Sequence, residues 1–255
     1  MDFEEQALIE ANNLTDLQLQ NFYKELNLIP SLRAPLNGHD AILAFEFMED
    51  TGCRVNEMIH VKKQDINFRT RILTVTNPKV SAICSCAKWK YRDLYSRIRV
   101  IEHTDSNCKK CLGTGRWKQE QKTTITPRLI DKVKEYCESL KDDELLFPVH
   151  RTTLWKWGKK AGTLAGINIF QVKKTREIDG VFLHLFRALC SKRMVRDAQN
   201  DPYKDQLVAC KLRHSFGTVT DRYTKIDINY LWGWEEKTYS TMEEHTKTSS
   251  QPEST

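Results

Sequence analysis

Four cysteines at two short spacings, Cys84-Ser85-Cys86 and Cys108-Lys109-Lys110-Cys111, restrict this chain more than any other feature. Thiols paired in this way read as a tetrahedral four-sulfur zinc site, which ties the two ends of the intervening roughly twenty residues together and folds them as a separate insertion. Gly113 and Gly115 follow the second pair and leave room for backbone amides to approach the sulfurs. His103 lies between the pairs, either as an alternative ligand or as polar surface. The remaining cysteines, Cys53, Cys137, Cys190 and Cys210, are scattered among apolar residues and read as small buried hydrophobes.

This reading of the thiols assumes a reducing compartment. No stretch of the 255 residues approaches the roughly 18 apolar residues of a membrane span, and the start Met1-Asp2-Phe3-Glu4-Glu5 is too acidic for a secretory or transit peptide. A cytoplasmic protein is expected, in which thiols stay free or bind metal. The formal charge of +6 is equally local. Residues 84–122 hold ten Lys or Arg against four Asp or Glu, so the whole excess lies there and the rest of the chain balances. Interleaved with these cations are Trp89, Tyr91, Tyr95 and Trp117. The combination fits a surface that tracks phosphates, and basicity alone fits a solvated loop as well.

Hydrophobic periodicity gives a mainly helical α+β chain. Two short helices are expected over 3–27, ended before Pro30, one from about Asp40 to Thr51-Gly52, and a short one carrying Arg54 to Ile59. The period then shortens to two between Ile66 and Val80, a strand, with further strand candidates at 97–101 and 122–126 flanking the cysteine pairs. These make a small antiparallel sheet. Helices are expected again over 128–140, 152–164, 185–198 and 202–212, the last begun by Asp201-Pro202, and a disordered tail from about 244. The expected division is a short helical segment at 1–37, a main domain at 38–226 with the cysteine module at 84–116 inserted in it, and a C-terminal segment at 227–255, a protomer-docking helix followed by the disordered tail.

Polar residues also recur where helix ends or turns would present them: Arg54 in Thr-Gly-Cys-Arg-Val-Asn-Glu, His184 and Arg187 in His-Leu-Phe-Arg, His214 in Lys-Leu-Arg-His-Ser, and Tyr223 in Thr-Asp-Arg-Tyr-Thr. Singly each has an ordinary reading as surface cation, satisfied core histidine or packed tyrosine. In this order and spacing they resemble the catalytic domain of the tyrosine recombinases, the phage- and archaeal-type integrases, over roughly residues 38–225. The first box, Thr-Gly-x-Arg-x-x-Glu, is matched at 51–57. The second, His-x-x-Arg, is matched at 184–187, and the third, a histidine with eight residues between it and the nucleophilic tyrosine, by His214 and Tyr223. The second box departs from the usual pattern in continuing Ala188-Leu189-Cys190-Ser191, and the roughly 37 residues before the match are fewer than a separate helical clamping domain needs.

The resemblance implies site-specific cleavage and rejoining of double-stranded DNA through a 3′-phosphotyrosyl intermediate. Tyr223 would be the nucleophile, Arg54 and Arg187 the bidentate clamp on the phosphate, and His214 a further donor to it, with His184 assisting deprotonation. The leaving 5′ oxygen would be protonated by a hairpin lysine, Lys118 by preference, with Lys122 and Lys79 as alternatives. No catalytic metal or nucleotide is expected, only structural zinc at Cys84, Cys86, Cys108 and Cys111. The resemblance further implies a tetramer on DNA, with the apolar run Tyr230-Leu231-Trp232-Gly233-Trp234 docking on a neighbouring protomer. Rival readings are a relaxing topoisomerase of the same chemistry, a catalytically idle DNA-binding regulator, and a cysteine module that binds RNA or protein.

Overall fold

Thr15 accepts the Gln18 amide at 3.2 Å while the Gln18 side chain accepts the Thr15 amide at 3.1 Å, a reciprocal cap that starts helix α1, Asp16–Leu28. Asn37 and Asp40 repeat the device for α2, Gly38–Thr51, and the Glu57 carboxylate accepts the Arg54 amide at 2.9 Å ahead of the short α3, Val55–Met58. The computed structural model describes residues 9, 11–29, 36–92, 99–109, 111–167, 176–213 and 226–248, of which 77–82, 99, 117–119, 176–183 and 240–248 are described by their backbone alone.

Past α3 the chain enters a small antiparallel sheet of order β1-β2-β5: β1 Ile66–Asn67, β2 Ile72–Ile83 and β5 Arg116–Thr124. Ile66 pairs with Leu73 and Asn67 with Ile72. Between β2 and β5 run β3, Lys88–Tyr91, and β4, Arg99–His103, which form an antiparallel hairpin of their own. Among the described residues the helices that follow are α4 Pro127–Cys137, α5 Arg151–Leu164, α6 Arg176–Asp197, α7 Lys204–Leu212 and α8 Ile228–Thr248. The chain is thus α+β and mainly helical, as expected.

Contacts divide it into two units, Val75–Gln121 and the remainder, Met1–Thr74 with Lys122–Thr255. The separate unit is wider than the expected insertion at 84–116, because it takes in the outer ends of β2 and β5. In the larger unit α1 packs on α2 and α5, and α2 packs on α4 and α6. Phe22, Phe45 and Phe186 bring α1, α2 and α6 together, with ring centroids 4.8 to 5.5 Å apart. A second cluster, built on Cys190, Met194, Leu207, Leu212 and Leu231, joins α6, α7 and α8.

The C-terminal segment differs from expectation. It is helical through Thr248, beyond the point where the tail was expected to begin, and it packs on α4 and α7 of its own chain. Leu231, Glu235 and Tyr239 recur every four residues and are all buried, so they form the inward stripe. Glu235 in that stripe breaks the apolar period and hid it from the sequence. Its carboxylate meets Lys211 Nζ at 2.7 Å, with both side chains 0% exposed. Arg71 pairs with Glu236, the Arg128 guanidinium lies 4.4 Å over the Tyr239 ring, and the Tyr239 hydroxyl donates to Asp197 at 3.0 Å.

Candidate functional site

The box Thr51 to Glu57 occupies the turn between α2 and α3, and its glycine is required there. Gly52 has φ +62 at the C-cap of α2, and a Cβ would lie 2.6 Å from a Leu212 methyl and 3.3 Å from Cys190 Sγ. Leu212 ends α7, so the C-termini of α2 and α7 meet at this glycine. Their last carbonyls need donors, and the negative ends of both helices favour cations. Arginines fill that role. Arg187 donates to the carbonyls of Gly52 and Leu212 and is only 4% exposed. Arg213 donates to Thr51 at 3.3 Å, Lys211 at 3.4 Å and Gly52 at 3.2 Å.

The same Arg213 reaches Glu57, Nη2 to Oε2 at 2.6 Å, while Arg54 Nη1 meets Oε1 of that carboxylate at 3.3 Å. One buried carboxylate therefore lies between two guanidinium groups, with Arg187 bonded to the neighbouring carbonyl. Burial alone would raise the Glu57 carboxyl, but Arg213, the Arg54 amide and then Arg54 and Arg187 outweigh it and hold it below its usual value. Three arginines around one carboxylate leave two positive charges in excess. Arg54 is the more accessible, with about a quarter of its side chain exposed. Arg213 Nε is buried and has no hydrogen-bond partner among the described residues, and Arg213 itself sits at φ +58, a conformation a non-glycine residue holds only against strain.

Of the residues expected from sequence, Arg54 and Arg187 are thus brought together. His184 lies one turn before Arg187 on α6, half-buried. Both belong to the interior of a 22-residue helix rather than to a helix end. His214 and Tyr223 lie outside the described residues, as do the side chains of Lys118 and Lys79, whose backbones belong to β5 and β2. Lys122, near the end of β5, is exposed and lines an open polar cavity of about 500 Å³ with Gln64, Asn67, Thr70 and Thr74. Arg213 was missed. Its signal was its place beside His214 at the end of a helical pattern, Lys211-Leu212-Arg213-His214.

Two other reactive groups are held in their neutral form by burial. Burial pushes the Cys53 thiol up despite Arg213 nearby. Burial likewise raises the Tyr239 phenol well above its usual range, against the opposing pull of Arg193.

In the smaller unit Cys84 and Cys108 lie with sulfurs 3.7 Å apart and Cys86 and Cys111 3.5 Å apart, and all four sulfurs fall within 4.8 Å of one another. A metal at about 2.3 Å from each of four tetrahedral thiolates requires edges of about 3.8 Å. The four residues can therefore hold a metal ion. Desolvation and the adjoining thiols push Cys86 up to about 12, against an amide from Asp105. Gly115 at φ +69 closes the loop, its carbonyl accepting the Cys84 amide at 2.9 Å. His103 is exposed on β4 and does not belong to the cluster. Cys53, Cys137 and Cys190 are buried as expected, and Cys210 is half-buried.

No protein-family model matches this chain, and no curated protein matches it. No helix among the described residues is long and apolar enough to cross a membrane.

Proposed function

We propose that the Arg54–Glu57–Arg213 cluster binds a DNA phosphodiester, and that the chain cleaves and rejoins the strand as tyrosine recombinases do. The observation that carries this reading is the convergence of Arg54 and Arg213 on opposite oxygens of Glu57, with Arg187 alongside, at the turn whose sequence matches the family's first box. A permanently charged fork suits the non-bridging oxygens of a phosphate. In this arrangement Arg54, the most accessible of the three, meets the phosphate, and Arg187 and Arg213, both buried on main-chain carbonyls, are the positioning residues that join the α2 and α7 termini. Tyr223 Oη gives up its proton to His184 and forms the bond to phosphorus as the P–O5′ bond breaks, and the 5′ oxygen takes a proton from Lys118, Lys122 or Lys79. The metal of the cysteine cluster is zinc in a closed, structural four-thiolate site.

The test is to trap the covalent adduct on a nicked duplex from which the cleaved fragment diffuses away. The parent protein and Tyr239→Phe form the adduct, and Tyr223→Phe does not. An adduct that persists in Tyr223→Phe overturns the assignment of the nucleophile.

One observation favours a second reading, a DNA-binding protein without cleavage. Arg187 and Arg213 are almost wholly buried and spend their donors on main-chain carbonyls, which is a structural use of the guanidinium. Under that reading the nicked duplex is bound and no adduct forms with any variant.

A further inference from the structure

The β3–β4 hairpin presents a surface that neither the arginine cluster nor the cysteine centre accounts for. All four residues of β3 are exposed. Trp89 and Tyr91, two apart and therefore on one face of the strand, are 38% and 51% exposed, with rings edge to face at 5.3 Å. Ile101, the partner of Trp89 across the ladder, shares that face. Among the described residues of the hairpin the acidic side chain is drawn elsewhere, because Glu102 pairs with Lys90 on the opposite face.

Lys88 and Lys90 alternate with the two rings along β3, and Arg92, Lys109 and Arg116 follow or flank the strands in sequence; all five are exposed. Residues 75–121 as a unit hold ten Lys or Arg against four Asp or Glu, which is the full +6 of the chain, and the larger unit is neutral. Exposed aromatic rings on a unit that carries the whole net positive charge of the chain match the chemistry of an unpaired nucleic-acid strand, whose bases stack on the rings while its phosphates follow the cations. A duplex keeps its base faces stacked on one another and offers such rings little, so it would use the cations alone.

We propose that this hairpin face binds single-stranded DNA, with Trp89 and Tyr91 as a stacking platform for unpaired bases. The proposal rests on the nucleic-acid part of the functional reading and not on strand cleavage. It gives the metal a purpose, since the cysteine centre would hold a two-stranded ribbon too small to be stable alone.

The test uses the full metal-loaded chain, a labelled oligothymidine and a duplex of equal length, with affinities followed across a salt series. Trp89→Ala and Tyr91→Ala each lower affinity for the oligothymidine roughly 5- to 100-fold and leave the duplex within about twofold. The salt slope stays unchanged because no phosphate contact is lost. Trp89→Tyr, which keeps a ring, retains most of the affinity, and unchanged metal stoichiometry shows that each variant is folded. Equal loss on both substrates, unchanged oligothymidine affinity in the alanine variants, no binding by the parent, or tighter binding of the matched RNA overturns the proposal. Oligothymidine binding that survives with no covalent adduct from any variant leaves the hairpin site standing and removes strand cleavage.

Discussion

At the residue scale the larger unit is held by carboxylates placed where helices and strands end. Asp50, in the last turn of α2, accepts the Thr126 amide at 2.8 Å and the Thr126 hydroxyl at 2.6 Å, and pairs with Arg193 at 3.2 Å. Burial works to raise its carboxyl, but Lys211, Arg193 and the two Thr126 bonds outweigh that and hold it below the usual value. A carboxyl lowered in the folded state adds stability above its unfolded value of about 3.9 and loses it as the pH falls through the folded one. Asp50→Asn should therefore cost about 3–5 kcal/mol near neutral pH, with the gap to the parent closing below about pH 4. Urea melts of both proteins across that range check this, and a gap that stays constant with pH would mean the charge contributes nothing. Such pairings were not legible in the sequence. Asp50 and Arg193 are 143 positions apart. Arg54 and Glu57, three apart inside a motif, were legible, whereas Arg213 on Glu57 needed two helix ends to meet 156 positions apart.

At the scale of elements the legible parts were those with a buried face. The helix from Gly38 to Thr51 is buried over most of its surface and that from Pro127 to Cys137 alternates buried and exposed residues at helical spacing, and the sequence placed both within a few residues. Strand β3 buries nothing, and its Lys-Trp-Lys-Tyr alternation runs for only four residues, so the hairpin was anticipated only as its second strand, two residues early. The inward face of α8 escaped for the opposite reason, since it carries a charge at its centre. Lys211 and Glu235 are both fully buried, and Lys211 Nζ also donates to the Thr124 carbonyl and hydroxyl at 3.0 Å. Removing one partner strands the other. Lys211→Met alone should lower stability by about 3–5 kcal/mol, and adding Glu235→Leu should recover most of that loss, because a buried ion pair is worth little more than apolar side chains of similar volume. A double-mutant cycle read by chemical denaturation checks it. Additive losses would show that the two residues act independently, and that α8 is held to the body by Leu231, Tyr239 and the Arg71–Glu236 pair instead.

At the scale of the whole molecule, the net charge and the four-cysteine cluster fall on one side of the line along which the contacts divide. The unit at 75–121 carries the net charge and the four thiols and has a short hairpin with little apolar burial, whereas the remainder is neutral and owns both aromatic and aliphatic clusters. A small unit of this kind takes its folding free energy from metal binding, because two paired strands without a hydrophobic face are marginal in water. The larger unit has its own core and no need of the metal. Chelation should therefore abolish amide-exchange protection in β3, β4 and the cysteine loops while leaving α2, α4, α6 and α8 protected. The thermal midpoint of the larger unit should move by no more than a few degrees, within what about 1 kcal/mol produces in a body of this size. One equivalent of zinc per chain should be released in the process, measured by a colorimetric thiol-competing indicator alongside hydrogen exchange followed by mass spectrometry. Loss of protection throughout both units on chelation would mean that the sheet strands β2 and β5, which run from one unit into the other, transmit the collapse and make the chain a single cooperative body.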